Sequence, residues 1–183
     1  MVNEDWLDPE QAAEEWSGGD DGFQVIALDP GGTTGWALFQ VHPDAMGGDP
    51  DLPVLSNVEF WTAGQFVGAQ DKQVDQILEL VNSWPSARLV TEQFILRQLN
   101  AVLDPVELNA ILRWAVRPRY WVQQQASMAM STVTDDRQKR WGFWIPGQEH
   151  ARDAVKHGIT FLKRRKEATV KAARVSAATA RRS

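Results

Sequence analysis

Cysteine is absent from the 183 residues. Disulfides and thiolate metal sites are thereby excluded, and any metal must be held by oxygen or imidazole. No apolar run approaches the roughly 20 residues that a membrane-spanning helix needs, so no membrane partner is expected. The N-terminus also lacks the apolar segment of a secretory signal, and a cytoplasmic protein is the expectation. Bases are missing from residues 1–22, which carry eight acids; acids are nearly missing from residues 163–183, which carry eight bases against Glu167. The net charge of −5 therefore hides a division between the ends. Without its acidic leader the chain is mildly basic, which admits a nucleic-acid partner. Tryptophan is plentiful, with nine residues, most of them expected in the core of one domain of ordinary size.

The chain is organised around Val25-Ile26-Ala27-Leu28-Asp29-Pro30-Gly31-Gly32-Thr33-Thr34-Gly35-Trp36-Ala37-Leu38. A short apolar run ends in a carboxylate, a glycine-rich turn follows, and a second apolar run starts at once. This reads as a β-hairpin with Asp29 at the end of its first strand. Pro30 has no N–H for a ladder, so pairing should stop near it. Gly31, Gly32 and Gly35 allow positive φ and leave the turn open to a close-approaching ligand.

From there the pattern predicts strands over 23–29, 35–41 and 54–62, an antiparallel meander interrupted by a Gly/Pro loop at 42–53. A helix follows over 70–84, with Val74, Ile77, Leu78 and Val81 on one face and Pro85 as its stop. A strand is expected over 87–95, with Glu92 inside it, then a polar loop at 97–104. A helix over 104–117 opens on Asp104-Pro105. A fifth strand, 120–125, leads into a small-residue and Met-rich connector at 126–133. A short helix over 134–141 is capped by Thr134, and a last helix spans 148–165. The expected domains are an acidic leader (1–22), one catalytic domain (23–165) and a basic tail (166–183), the tail a weak helix or a mobile arm. Three antiparallel strands followed by alternating strands and helices describe an α/β fold with a mixed five-stranded sheet flanked by helices.

Asp29 and Glu92 are the carboxylates that such a sheet brings to neighbouring strands. Two unpaired carboxylates that close repel one another unless a cation joins them. On the last helix, His150 and Asp153 are three residues apart and share a face, with His157 on the same side. Hard cations such as Mg²⁺ take oxygen ligands, and a pair of them serves phosphodiester hydrolysis.

The run Asp29-Pro30-Gly31-x-Thr33-x-Gly35-Trp36-Ala37, the Glu92 strand and His150-Ala151-Arg152-Asp153-Ala154 together resemble the RuvC-like branch of the ribonuclease H-like nucleases, most nearly the short resolvases of actinobacterial phages. The resemblance covers about residues 23–163. It implies a ribonuclease H-like fold and a catalytic, metal-binding set of Asp29, Glu92, His150 and Asp153. It also implies two Mg²⁺ ions, with Mn²⁺ able to substitute, and hydrolysis of branched DNA such as a Holliday junction by a homodimer. Members of that branch often carry a lysine after the fifth strand, where this chain has Ser127-Met128-Ala129-Met130; Lys139 or Arg137 are then the candidates for that charge.

Expected DNA contacts are Arg97, Gln98 and Asn100 in the polar loop, and Arg137, Lys139, Arg140 and Arg152 near the last two helices. Phe143 or Trp144 is a candidate to stack on an unpaired base. The helix over 104–117 is the candidate dimer face, with Leu108 and Trp114 expected to be partly exposed. Three other readings share some of these features. An actin-like ATPase would need a second copy of the fold and a second phosphate loop. A non-catalytic DNA-binding protein would not need all four site residues. A ribonuclease H-like enzyme acting on flaps, forks or RNA–DNA hybrids would need the same metal site.

Overall fold

A computed structural model describes residues 22–42, 58–93, 104–115 and 121–180, with side chains to residue 164. The acidic leader and Arg97, Gln98 and Asn100 lie outside the described residues. Five strands form one sheet: β1 (Phe23–Asp29), β2 (Thr33–Val41), β3 (Val58–Val67), β4 (Arg88–Gln93) and β5 (Trp121–Gln125). Their order is β3-β2-β1-β4-β5. The first three strands pair antiparallel, whereas β4 lies parallel to β1 and β5 parallel to β4. The helices are α1 (Gln70–Ser83), α2 (Asp104–Ala115), α3 (Ala126–Thr132), α4 (Asp135–Trp141) and α5 (Glu149–Ala180). This is the expected ribonuclease H-like architecture, a mixed five-stranded sheet flanked by helices.

Strand periodicity decides which residues face which helices. Val25 and Ala27 of β1, Ala37 and Phe39 of β2, Val90 of β4 and Val122 of β5 form one core with Ala154, Val155 and Ile159 of α5. The alternate residues Ile26, Leu28, Leu38 and Leu89 form the other core with Ile77 and Val81 of α1 and Leu108 and Leu112 of α2. Asp29 continues the parity of Val25 and Ala27, and Glu92 that of Val90. Both carboxylates therefore lie on the α5 side of the sheet.

Three expectations change, and one freedom goes unused. The third strand reaches Val67 rather than 62, because β2 begins at Thr33 and pairs Thr33 with Val67. The connector after β5 is helical over Ala126–Thr132; its alanines and unbranched methionines favour helix, and Ala129 is fully buried. Among the described glycines, positive φ occurs at Gly68, Gly142 and Gly147 and not in the β1–β2 turn. Leu108 is buried in its own chain, while Trp114 is 73% exposed. Elsewhere the expected Thr134 cap forms, its hydroxyl accepting from the Arg137 N–H at 3.3 Å. Helix α5 runs on through residue 165 to Ala180.

Two glycines allow α5 to lie close on the sheet. A Cβ on Gly158 would sit 2.3 Å from Phe39 Cε2, and a Cβ on Gly35 would sit 1.9 Å from the His150 carbonyl oxygen. No described helix is long and apolar enough to cross a membrane.

Candidate metal centre

The parallel register pairs Ala27 with Val90 and Leu28 with Thr91. One step further along both strands come Asp29 and Glu92. Pro30 and the end of β1 leave the Asp29 carboxylate at the rim of the sheet, buried under the first turns of α5. Ligand atoms of Asp29, Glu92 and His157 all lie within 4.8 Å of one another. The His157 ring is fully buried. Neither of its nitrogens has a hydrogen-bond partner, and Nε2 stands 4.0 Å from Glu92 Oε2.

His150 lies two turns earlier on α5. Its Nδ1 is 3.0 Å from Asp29 Oδ2, and its side chain is 44% exposed. Its backbone N–H donates to Gln65 Oε1 of β3 at 3.0 Å, which ties the start of the helix to the far side of the sheet. Gln124 of β5 anchors the turn that carries His157. With its amide oriented to suit its neighbours, it donates to the His157 carbonyl at 3.1 Å and accepts from the Phe161 N–H at 3.2 Å.

Asp153 is turned to a different partner. Lys156 Nζ bonds Asp153 Oδ1 at 2.9 Å, pairs with Asp135 Oδ1 of α4 at 2.9 Å, and touches Met130 Sδ of α3 at 3.5 Å. Burial opposes the charge on Lys156, but its hydrogen bonds to the two aspartates outweigh that and raise its pKa.

Burial dominates the ionisation of the centre. It pushes Asp29 up to about 6, with the charge of Asp153 adding to the rise and a hydrogen bond from Glu92 opposing it. Burial also raises Glu92, to about 8, helped by that same hydrogen bond and by repulsion from Asp29 and Asp153. Glu92 is thus the group that keeps the proton. His157 is pushed down to about 4 by burial and stays neutral. Two carboxyls sharing a proton beside an imidazole with two idle nitrogens match the donor chemistry of a divalent cation. Asp29, Glu92 and His157 form a cluster that could hold one metal ion.

These shifts predict how the metal-free protein responds to pH. The folded pKa values of Asp29 and Glu92 lie above their unfolded values. Their contribution is therefore complete below about pH 4 and is lost as pH rises to 6 and then 8. His157 works in the opposite sense, costing stability as pH falls from 6.5 toward 4. Between pH 6.5 and 8 only the Glu92 contribution still changes, at about 1.4 kcal/mol per pH unit. The expected result is a fall in Tm of roughly 4–8 °C across that interval, reversed by saturating Mg²⁺ or Mn²⁺. Scanning calorimetry with and without chelator checks it; a flat or rising metal-free Tm would refute this ionisation scheme.

Of the four site residues expected from the sequence, Asp29 and Glu92 adjoin and His150 touches Asp29. The charge of Asp153 acts on both carboxylates, but Asp153 stands outside the three-residue cluster. His157 is in that cluster, although the sequence marked it only as sharing a helix side with Asp153. Lys156 was missed; its i+3 spacing from Asp153 was the available signal. Among the expected DNA contacts, exposed Arg137 donates to the Thr132 carbonyl at 2.6 Å, and Arg140 is exposed. Lys139 and Arg152 both lie over the Trp144 ring, at 4.4 and 4.5 Å. Trp144 is therefore engaged by side chains of its own chain. Phe143 is not available for stacking on a base: it is buried against Phe39 and Trp61.

The fold and the cluster together define a ribonuclease H-like domain with a candidate metal centre at the carboxyl ends of β1 and β4. Among solved structures the chain is similar to RuvC of Thermus thermophilus, with a TM-score of 0.48 and 16% identity over 78% of this chain and 96% of that one. It is likewise similar to T. thermophilus RuvC in complex with Holliday junction substrate, with a TM-score of 0.47 and 14% identity over 78% and 95%. No protein-family model and no curated protein matches the chain.

Proposed function

We propose that this chain is a metal-dependent endonuclease that hydrolyses phosphodiester bonds in branched DNA, with a four-way junction as its first candidate substrate. The observation that carries the nuclease reading is the convergence of Asp29, Glu92 and the unpartnered His157 ring at one rim of the sheet. Preference for branched DNA rests on the resemblance of the Asp29 and His150–Asp153 motifs to the RuvC-like branch, including its phage members.

Asp29, Glu92 and His157 would hold Mg²⁺, with Mn²⁺ able to replace it; a two-ion arrangement would need Asp153 as well. A bound divalent cation supplies charge neutralisation at the phosphodiester and a more acidic water. His150 holds Asp29 in place through Nδ1. With the ring proton on Nδ1, the lone pair of Nε2 is free to accept a proton from the attacking water. Asp153, paired with Lys156 at 2.9 Å, is not among the three residues that would hold that ion. Because Glu92 must give up its proton to become a ligand, metal affinity rises with pH. Arg137, Lys139, Arg140 and Arg152, with Arg97, Gln98 and Asn100, are the proposed DNA contacts. Two symmetric cuts need two sites, so a homodimer belongs to this reading, with exposed Trp114 on α2 as the proposed interface marker.

The test is cleavage of labelled four-way junction, flap, duplex and RNA–DNA hybrid substrates with Mg²⁺, with Mn²⁺ and with chelator. Paired nicks in opposing strands of the junction, abolished by chelator, are expected. Cutting of flaps or hybrids alone would retain the metal chemistry and replace the substrate. Absence of metal-dependent cleavage on every substrate would overturn the catalytic reading.

A further inference from the structure

Lys156 joins α3, α4 and the site face of α5. It is 8% exposed. Its ammonium is 2.9 Å from Asp153 Oδ1 and 2.9 Å from Asp135 Oδ1, with Met130 Sδ at 3.5 Å. Asp153 is the carboxylate that a second divalent ion would need, yet it lies outside the cluster formed by Asp29, Glu92 and His157.

We propose that Lys156 is a built-in second cation of this site: its ammonium neutralises Asp153 in place of a second divalent ion, so the centre takes one metal. This rests on the metal-centre reading given above and goes beyond it. The charge balance favours the arrangement. One divalent ion answers Asp29 and Glu92, and one ammonium answers Asp153 and partly answers Asp135. A second divalent ion at Asp153 would have to displace an ammonium whose stem is enclosed by three helices. That ammonium would then keep only the more exposed Asp135 as its counter-charge beside a doubly charged ion, a costly state for a buried charge. Lys156 is in this sense a positioning residue: it keeps Asp153 aimed and neutralised, and it cannot dissociate as a metal can. Met130, which the ammonium touches, comes from the Ser127-Met128-Ala129-Met130 segment after β5.

The experiment is Mn²⁺ titration of the full chain by calorimetry and electron paramagnetic resonance at pH 8. Wild type is expected to bind one equivalent, and Lys156→Arg, which keeps the charge, also one. Lys156→Met, of similar length but uncharged, is expected to bind two, the second equivalent disappearing in Lys156→Met/Asp153→Asn. Asp153→Asn in the wild-type background is expected to keep its single equivalent with affinity changed less than tenfold, so the proposal stays testable if Lys156→Met fails to fold. Two equivalents in wild type, or one in a folded Lys156→Met, would overturn the proposal and leave the metal centre standing. So would loss of the single equivalent in Asp153→Asn. No Mn²⁺ binding by wild type would remove the metal centre itself, and this inference with it.

Discussion

Asp29→Asn is expected to lower metal-dependent cleavage by about 10³-fold or more and, at the same time, to stabilise the metal-free protein. The first effect follows from taking away the central ligand: the charge stabilisation a bound cation lends the transition state is several kcal/mol, and each 1.4 kcal/mol is about tenfold in rate. The second follows from burial. Asp29 is 8% exposed and is held near 6, above its ordinary value of 3.8. At pH 8 it is ionised in the fold at a cost of roughly 3 kcal/mol. Asparagine has the same shape and offers His150 Nδ1 either an oxygen or an N–H, so the contact at 3.0 Å survives with either tautomer while the repulsion with Glu92 goes. The Tm at pH 8 without metal should rise by several degrees, and the stabilisation by Mg²⁺ or Mn²⁺ should shrink. Cleavage assays and calorimetry on the same preparation check both halves. A variant that cuts within tenfold of wild type, or that melts lower in the absence of metal, would contradict the assignment of Asp29.

Gly35→Ala is expected to damage the fold and the centre together. The new methyl would stand 1.9 Å from the His150 carbonyl oxygen, 2.2 Å from its carbon and 2.8 Å from Ala151 N. All three are backbone atoms of the first turn of α5, so no side-chain rotation relieves the clash. The start of the helix must lift from β2, taking His150 away from Asp29 and loosening the next turns. Overpacking in a close-packed interior costs typically 1–3 kcal/mol, and a backbone-to-backbone clash belongs at or above the upper end, about 3 kcal/mol or more. Metal binding should weaken in proportion as α5 withdraws His157 from the carboxylates. Gly31→Ala is the internal control: its Cβ meets only the Thr33 carbonyl oxygen, at 3.3 Å, and the expected change is within about 1 kcal/mol. Urea denaturation and Mn²⁺ titration of both variants separate the cases. Equal stability of Gly35→Ala and wild type would show that the helix does not depend on this approach.

These two variants also mark the boundary between local and non-local information. The place of Asp29 was legible in local pattern: an apolar run of strand period, a carboxylate at its end and a proline that stops the ladder. The place of Glu92 was legible in the same way, as an acid inside an apolar strand. Gly35 was singled out for a freedom it does not use. A glycine-rich turn permits positive φ, but the β1–β2 turn contains no described positive-φ glycine. What Gly35 supplies is space for a helix more than a hundred residues later in the chain, and no window around position 35 contains that helix.

The sequence by itself determined the order of strands and helices, the neighbouring strands that carry Asp29 and Glu92, and the helix that carries His150, Asp153 and His157. Periods of 2 and 3.6 residues are properties of the local backbone, and the parity of a carboxylate within its strand follows from them. The tertiary structure alone decided which residues of that helix meet which partners. His150, Asp153 and His157 share one side of α5 by spacing. The seating of α5 on the sheet brings His157 to Glu92 and His150 to Asp29, while Asp153 meets Lys156 one turn on within the helix itself. That seating is held by Gly35 and Gly158 beneath the helix, by Gln65 and Gln124 reaching it from β3 and β5, and by the contacts of α3 and α4 with Lys156. Each of those contacts joins residues far apart in the chain, and only packing brings them together.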